Sequence, residues 1–531
     1  MARVGRVLVA ALGAVLVVPA LSVATVDDYR PGASGAGDRY FPRDGNGGYD
    51  VRRYGLDLRY RPATDRLTGT ATIRAVATQP LSLFHLDLDA MTVRSVRVDG
   101  RRARWEHRRG ELVVDPAGPG LRRGKRFVVT VRYGGVPRAI HDVYGTSGFF
   151  HTSDGLLIAG QPKVASTWFP VNDHPTDTAP FTFAITAPAR LQVVANGVLR
   201  RTVQQGRQRT WHWVANDPMA PYLATVAVGR FDLRSYRRDG IRYWDAIDPA
   251  TRKAVARPRS GTRFAIGGQA NQGYKRLTRV VDVPAEGATV SFRTRYDVED
   301  GWDFWFVEAR PVGGDRWTTL RDRNGHTDRW PGFNCLGLLE LHPFLRHYLA
   351  RTETGGCRAR GTTGQWHAAT GRSRGYEPWS VSLDRYAGQT VELSLTHVTD
   401  GIFPVHGVFV DDVSVSTGEG STSFEADDDP WDGWTVPGPP ASSPGNTDDW
   451  KAGTATDAPP SFGEVGSRSL RKQPAMISFL SRRFGPYPFE AAGGIVDHEP
   501  RLLFALENQT RPVYPRTFLY YQLDSDLTVV H

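Results

Sequence analysis

The chain has few cysteines, two in 531 residues, at Cys335 and Cys357. No Cys-x-x-Cys pair is present, which argues against the zinc sites that are built on such pairs. No glycine-rich phosphate-binding loop is present either, which argues against a P-loop nucleotide hydrolase. Beyond the N-terminus, no apolar run is long enough to span a membrane. What remains is a chain with 40% hydrophobic and 11% aromatic residues, enough for packed cores in several domains.

The N-terminus predicts export. Arg3 and Arg6 precede the uncharged apolar stretch Val7–Ala20, and Ser22–Ala24 offers small residues for cleavage. We therefore predict a signal peptide over residues 1–24, a secreted protein, and no membrane segment after cleavage. The alternative is an uncleaved anchor, for which the apolar core is shorter than the ~20 residues that a spanning helix needs.

Export also bears on the two cysteines. Cys335 and Cys357 are 22 residues apart, and cysteines of secreted proteins commonly pair. We predict a disulfide between them, the alternative being two free buried thiols. The formal charge of +10 does not predict a nucleic-acid partner, because the arginines are scattered and mostly alternate with apolar residues. A solvated, positively charged surface accounts for this net charge.

The spacing of apolar residues predicts a mainly β protein. Tyr54, Leu56, Leu58 and Tyr60 alternate with other residues, and similar runs follow to residue 245. We predict the organisation of the remainder from changes in composition: a disordered segment over 25–38, an antiparallel β domain over 39–245, a second β block over 262–418 that is interrupted by a loop excursion over 320–376, and an acidic then Pro/Gly/Ser-rich linker over 419–466.

Residues 467–531 have a different pattern of apolar residues. Met476, Ile477, Leu480 and Phe484 have helical spacing. Pro474 suits the first turn of that helix, and Gly485 ends it. Leu502–Leu506 reads as a short strand, and a last helix begins at Ser525 or Asp526.

Glu507 is the strongest single candidate for chemistry. It ends the apolar run Leu503–Leu506 and is followed by Asn508. A carboxylate there is either on a solvent face or directed into a cleft, where a fixed anion could bind the free α-ammonium of a peptide. His531 alone is weak evidence for a zinc site, because a catalytic zinc needs three protein ligands and an open position.

Three further groups of residues invite a functional interpretation. His498-Glu499 resembles half of a zinc motif, but Leu502 stands where the second histidine belongs, so a polar loop is expected. Trp168–Pro175 is dense in aromatic and polar residues and predicts a rigid hydrogen-bonded turn. The acids of the second β block could converge on Ca²⁺, the alternative being a solvated loop cluster; they are Asp303, Asp400, Asp411 and Asp412.

The chain resembles secreted bacterial zinc aminopeptidases of the aminopeptidase N family, which are gluzincin metallopeptidases. Five segments carry the resemblance in the family's order: Tyr40–Val51, Gln161–Asp177, Pro218–Tyr222, Phe484–Phe489 and Phe504–Tyr514. It implies a saddle-like N-terminal β domain over 39–245 and the beginning of a thermolysin-like α+β catalytic domain over 467–531. The implied activity is removal of N-terminal residues from peptides with a free amino terminus.

The resemblance also implies roles for single residues. Glu507, with Asn508, would bind the substrate's α-amino group, Ala505 would belong to the strand that orders the peptide, and Gln161 would come from the N-terminal domain. His531 matches the first Zn²⁺ ligand of His-Glu-x-x-His. The other ligands would follow residue 531, so the chain is expected to be a fragment, inactive alone. Phe504 and Leu506 depart from the family's Gly-x-Met-Glu-Asn.

The second β block is a further departure from the family. Gly301–Phe304 and Gly407–Val413 resemble the β-sandwich modules of immune inhibitor A-type secreted peptidases. This looser resemblance implies an inserted jelly-roll-like module that binds glycan or protein. A non-catalytic secreted protein that binds through its β domains is the competing hypothesis. An endopeptidase is disfavoured, because Glu507-Asn508 would block long substrates at their amino end.

Overall fold

The computed structural model describes residues 28–142 and 145–531. The predicted signal peptide lies outside these residues. Within them, the helices are too short or too polar to cross a membrane. The predicted mainly β architecture is confirmed. The first nineteen strands are β1 (Arg30–Pro31), β2 (Tyr49–Arg61), β3 (Arg66–Ala77), β4 (Leu81–Asp87), β5 (Thr92–Val98), β6 (Arg101–Arg102), β7 (Arg104–Arg108), β8 (Glu111–Asp115), β9 (Arg126–Gly135), β10 (Ala139–Asp142), β11 (Gly145–His151), β12 (Leu156–Ala159), β13 (Ala179–Pro188), β14 (Gln192–Ala195), β15 (Val198–Gln205), β16 (Gln208–Met219), β17 (Val226–Gly229), β18 (Asp232–Arg238) and β19 (Ile241–Ile247).

An eight-stranded sheet forms the frame of the N-terminal domain, in the order β15-β16-β13-β2-β3-β9-β5-β6. Two smaller sheets, β1-β4-β8-β7 and β10-β11-β12-β17-β14, complete the domain. The alternation predicted for β2 is present: Tyr54, Leu56, Leu58 and Tyr60 are buried, whereas the residues between them face outward. The large sheet therefore has one face in the core and one face in solvent.

Part of the segment expected to be disordered is ordered. Arg30 pairs with Leu81, which makes β1 a parallel partner of β4. The amide of Arg30 donates to the carbonyl of Pro80 at 3.0 Å, and Gly32 donates to Leu83 at 2.8 Å. These backbone bonds fix a stretch whose composition alone suggests a free chain.

The inserted module is a two-layer β-sandwich. Its elements are β20 (Phe264–Ile266), β21 (Tyr274–Asp282), β22 (Thr289–Asp297), β23 (Phe304–Pro311), β24 (Thr318–Leu320), α1 (Cys335–Leu341), β25 (Ala350–Arg351), β26 (Cys357–Arg358), β27 (Glu377–Ser382), β28 (Thr390–Val398), β29 (Gly407–Val415) and β30 (Lys451–Gly453). The sheet β27-β22-β29-β20-β30 packs on the sheet β21-β28-β23-β24. Phe292 and Trp379 of the first sheet meet Trp305 of the second, with ring centroids 6.2 Å and 5.8 Å from that of Trp305.

The excursion over 320–376 is cross-linked within itself and fastened to the sandwich. Cys335 and Cys357, which both lie in the excursion, form a disulfide. Glu308 of β23 is fully buried and accepts hydrogen bonds from the hydroxyls of Tyr274 and Tyr348, each at 2.7 Å. Tyr348 lies in the excursion, so a satisfied buried carboxylate links the excursion to the sheet.

The expected linker over 419–466 is largely part of the module. Trp434 and Trp450 are buried, and the ring of Trp450 lies 5.9 Å from that of Trp305. Residues 451–453 then pair with β20. The Pro/Gly-rich composition is typical of a free linker, but the two tryptophans bury enough apolar surface to hold the chain against the sandwich.

The remaining elements are α2 (Phe462–Phe484), β31 (Ala491–Val496), β32 (Val513–Tyr514) and α3 (Gln522–Val530). Helix α2 begins well before the predicted start at Pro474, which lies inside it. Ser461 and Glu464 form a reciprocal capping box at its N-terminus, which is a readable sequence signal.

Two distant segments share one sheet, in the order β18-β19-β31-β32. Strand β19 pairs in parallel with β31, with Arg242 opposite Ala491 and Ile247 opposite Val496. The hairpin β18–β19, predicted as the end of the N-terminal domain, is thus the edge of the C-terminal lobe. The sandwich is inserted between two neighbouring strands of that lobe.

Candidate active site

A cleft of 860 Å³ opens in the C-terminal lobe. Helix α2 forms one wall, the loop over 504–512 a second, and the end of α3 a third. Apolar side chains form most of the lining: Met476, Ile477, Leu480, Phe484, Phe489, Phe504, Leu506, Phe518, Leu527 and Val529. Four of the residues predicted from the sequence also line this cleft, namely Ala505, Glu507, Asn508 and His531.

Glu507 presents a carboxylate without a partner. The predicted strand over 502–506 is reduced to one bridge, in which Leu506 and Val513 exchange hydrogen bonds of 3.0 Å and 2.9 Å. Glu507 follows that bridge and is exposed. None of the described residues gives it a hydrogen bond or ion pair. Burial raises the pKa of Tyr222, and the nearby charge of Glu507 raises that pKa further. A carboxylate left open in this way can accept hydrogen bonds from a ligand ammonium.

Asn508 ties the same loop to the N-terminal domain. Its side chain is fully buried, and its Nδ2 donates to the carbonyl of Leu223 at 3.1 Å. Asn196 Nδ2 donates to that carbonyl at 3.0 Å and to the carbonyl of Gln509 at 2.7 Å. The amide of Gly197 donates to Thr510 Oγ1 at 2.8 Å. These bonds from two loops of the N-terminal domain hold the backbone on either side of Glu507.

Arg511 is the principal clamp of the loop, and the sequence analysis did not identify it. The side chain is fully buried. Its guanidinium donates to the carbonyls of Ala195 at 3.1 Å and of Gly197 at 2.7 Å, and also to those of Trp244 and Ala492. Burial lowers the pKa of Arg511 to about 10, so that it remains charged at neutral pH. One planar donor therefore joins the N-terminal domain, β19, β31 and the loop.

The guanidinium of Arg511 also lies beside two indole rings. Its carbon is 5.6 Å from the centroid of Trp213 and 5.2 Å from that of Trp244. Cation–π contacts and carbonyl acceptors together compensate for the removal of the charge from water.

Helix α3 carries His531 to the cleft. Asp526 of this helix accepts hydrogen bonds from Ser469 at 2.7 Å and from Lys472 at 2.5 Å, both on α2. Ser525 is buried against α2, with its hydroxyl 2.8 Å from that of Ser469. The amide of His531 donates to the carbonyl of Leu527 at 3.1 Å, which continues the helical pattern to the last residue. The packing of α3 on α2 thus sets the position of His531.

The residues at this cleft do not form a complete zinc site. Within residues 28–142 and 145–531, the one group of three or more His, Cys, Asp or Glu that could hold a metal lies in the sandwich. Among the described residues, no others of these four types form such a group with His531. A single imidazole does not make a catalytic zinc centre, which requires three protein ligands.

Gln161 is not among the residues that line the cleft. It is exposed and is joined to Pro162 by a cis peptide bond. His498 is in a loop, as predicted, where its ring stacks on Phe462. The turn predicted over Trp168–Pro175 is also present and hydrogen-bonded: Asn172 Oδ1 accepts from the amide of Asn46 at 2.6 Å.

The four acids predicted for calcium do not meet. Asp303 and Asp400 lie together with Glu299, their oxygens within 4.8 Å of one another. The carboxylate of Asp411 instead accepts hydrogen bonds from the backbone amides of Arg259 and Ser260, at 2.7 Å and 3.1 Å. Asp412 accepts the hydroxyl of Ser260. Asp411 and Asp412 thus cap a loop by local hydrogen bonds. The third member of the cluster, Glu299, was not identified from the sequence.

The sandwich touches the segment that leads into α3. Gln269 Nε2 donates to the carbonyl of Tyr520 at 2.8 Å. Arg372 is paired with Asp297 and donates to the hydroxyl of Tyr520 at 3.3 Å. The ring of His406 meets that of Tyr520 edge to face, with centroids 4.9 Å apart. The module therefore contributes to the position of the helix that ends at His531.

Comparison with known proteins identifies the N-terminal domain. Residues 50–223 match the family model described as the Peptidase M1 N-terminal domain. The resemblance inferred from the sequence is confirmed over this range, and the relatives are zinc metallopeptidases.

The individual relatives are distant. The pre-pro-metalloprotease PrtV of Vibrio cholerae serotype O1 is 23% identical over 188 residues, which cover 33% of this chain and 16% of PrtV. The crystal structure of a two-domain M1 zinc metallopeptidase variant bound to L-arginine is 27% identical, with a TM-score of 0.39 over 41% of this chain and 52% of that one. An M1 zinc metallopeptidase from Deinococcus radiodurans is 28% identical, with a TM-score of 0.38 over 40% and 50%. The matched part thus spans about half of those structures and a sixth of PrtV.

Proposed function

We propose that this chain, whose residues 50–223 match the M1 peptidase N-terminal domain, forms the substrate-recognition half of a secreted zinc aminopeptidase. The observation that supports it is the unpaired carboxylate of Glu507 in an apolar cleft, on a loop fastened by Asn508 and Arg511. Glu507 binds the α-ammonium of a peptide, and the apolar lining takes the first side chain. This fixes the peptide by its amino end, as an exopeptidase requires.

His531 is the one histidine among the described residues that line this cleft, and we propose it as the first ligand of the zinc set. Zinc in a complete site would polarise the scissile carbonyl. This chain's own residues bind and orient the peptide. Glu507, the one Asp or Glu among the described residues that line the cleft, is occupied by the α-ammonium and does not serve as the general base. We therefore expect the 531-residue chain to be inactive as a peptidase.

An activity assay tests this expectation. The chain is incubated with Zn²⁺ and an aminoacyl fluorogenic amide, beside the His531→Ala variant. We expect no release of the fluorophore above the rate with Zn²⁺ alone. Turnover that both a chelator and the His531→Ala change abolish would contradict the proposal. A longer chain that supplies Glu-x-x-His directly after His531 and a third zinc ligand beyond it should gain activity.

The competing function is a secreted protein that binds glycan or protein without catalysis. The incomplete zinc site is compatible with it. The codons that follow residue 531 discriminate between the two. Glu-x-x-His there favours the peptidase, and an authentic stop codon favours the binding protein.

We also propose that the sandwich binds Ca²⁺ at Glu299, Asp303 and Asp400. The carboxylates of these three residues lie together, and Asp303 is buried. Oε2 of Glu299 is also buried and accepts no hydrogen bond from the described residues. Burial raises the pKa of all three carboxyls. A divalent cation would offset their repulsion.

Calcium is expected to raise the melting temperature of the chain by about 4 °C or more at saturation. The Asp400→Asn variant should lose this response, whereas Asp411→Asn, which lies outside the cluster, should keep it. Differential scanning calorimetry with Ca²⁺ and with EDTA measures both. Equal responses from the two variants would rule the site out.

A further inference from the structure

A shallow recess of 250 Å³ lies on the solvent face of the eight-stranded sheet, away from the cleft. Arg59 of β2, Arg132 of β9 and Arg94 of β5 surround it, and all three are exposed. Thr68 and Thr70 of β3 form its floor, because β3 lies between β2 and β9. The recess therefore has small hydroxyl side chains beneath and long cationic side chains around it.

The three arginines are not engaged by the protein. Within the described chain, Arg59, Arg94 and Arg132 take part in no side-chain hydrogen bond, ion pair or ring contact. Some other arginines of this sheet do have a partner, as Arg52 has in Asp50 at 2.6 Å and Arg97 in the carbonyl of Gly100 at 2.7 Å. Their donors are available to a ligand, and guanidinium matches phosphate geometry well.

A β-bulge brings the third arginine to the recess. Val93 pairs with Tyr133 and Ser95 pairs with Arg132, so Arg94 is the extra residue between them. Val93 and Val96 keep their places in the core. In a regular strand, the neighbours Arg94 and Ser95 would face opposite sides of the sheet. The bulge places both on the outer face.

The surrounding charge is concentrated in the same part of the chain. Residues 50–135 contain 18 Lys and Arg and 9 Asp and Glu, a net charge of +9, whereas the whole chain carries +10. Arg97 and Arg102 continue the basic face across the pair β5–β6. The one acid that lines the recess is Asp57. Such a field attracts polyanions from solution.

The dimensions favour a chain of anions over a single one. β2 and β9 are separated by β3, so Arg59 and Arg132 lie on strands about 10 Å apart, which is more than one small anion spans. Exposed arginines bind a lone anion weakly, and affinity at such a surface comes from several contacts at once. The one aromatic residue that lines the recess is Tyr133, which is buried, so no ring is offered for stacking on a nucleic-acid base.

We propose that the recess bounded by Arg59, Arg94 and Arg132 binds the phosphate groups of a linear polyanion that carries no bases. The site is independent of the proposed peptidase function, since it shares no residue with the cleft. It would attach the N-terminal domain to a phosphate-rich polymer while the cleft stays free.

Binding of inorganic polyphosphate to the full chain, measured by titration calorimetry at several salt concentrations, tests the proposal. The variant R59Q/R94Q/R132Q is expected to bind at least about tenfold more weakly and to lose about 2–3 from the slope of log K against log salt. The control R207Q/R237Q/R257Q removes the same charge from exposed positions outside the recess and should retain most of the affinity.

The Asp57→Asn change is expected to affect the affinity for polyphosphate in the opposite direction. It removes the acid of the recess without removing a donor, and we expect roughly twofold to fivefold tighter binding. This variant keeps the test decisive if the triple variant folds poorly. Equal losses in both triple variants, binding of inorganic phosphate as tight as that of the polymer, or tighter binding of single-stranded DNA would each overturn the proposal.

Discussion

Replacement of Arg511 by methionine is expected to lower the free energy of unfolding by about 2–4 kcal/mol. The change removes the hydrogen bonds from the guanidinium to the carbonyls of Ala195, Gly197, Trp244 and Ala492. A buried carbonyl that is left without a donor costs about 1–3 kcal/mol in principle. The variant also lacks the desolvation penalty of the buried guanidinium, which offsets part of that cost, so the net loss is smaller than the sum.

Arg323→Met is the matched control. Arg323 pairs with Asp384 at 3.1 Å, and the two side chains are 53% and 58% exposed. We expect this variant to lose less than about 1 kcal/mol, because exposed ion pairs contribute little. Urea denaturation of both variants measures the difference. Equal losses would mean that Arg511 is not the clamp of the loop.

Arg511→Lys distinguishes charge from geometry. Lysine retains the positive charge but cannot reach several carbonyls in one plane, as the guanidinium does. We expect it to recover less than half of the lost stability. Full recovery by lysine would mean that the charge alone matters at this position.

The second large effect is expected at Glu507. Replacement by glutamine keeps the size of the side chain and removes the charge. We expect the affinity for peptides with a free amino terminus to fall about 10–100-fold, the equivalent of a charged hydrogen bond worth about 1.5–3 kcal/mol. The stability of the fold should not change, because the described residues leave Glu507 unpaired.

Glu490→Gln is the control for charge. Glu490 lies in the same lobe and pairs with Arg200 at 2.8 Å, but it does not line the cleft. It should bind peptides as the unmodified chain does. If both variants weaken binding to the same extent, the effect is one of net charge, and Glu507 is not the anchor.

The sequence was most informative where a motif has fixed spacing. The segment around Glu507 and the helix that ends at His531 both reach one cleft, as the order of the motifs predicts. The alternation along β2 likewise predicted its buried face. These are local patterns whose physical cause lies within a few residues.

The parts that were missed depend on distant contacts. Arg511 donates hydrogen bonds to Ala195 and Trp244, which are 316 and 267 residues away in sequence, whereas composition treats arginine as a surface residue. The parallel pairing of β19 with β31 leaves no trace in either strand alone. Glu299 rather than Asp411 joins the acidic cluster because side-chain direction, not spacing in the sequence, decides which acids meet.

The central claim is that Glu507 recognises the amino terminus of a peptide, and a four-way binding experiment tests it most directly. A tripeptide and its N-acetylated form are titrated into the unmodified chain and into the Glu507→Gln variant, at about pH 6.5, where the free amine is charged. The account predicts that acetylation weakens binding to the unmodified chain about 10–100-fold and has little effect on the variant, so that the two changes are not additive. Acetylation that has the same effect on both proteins would contradict it.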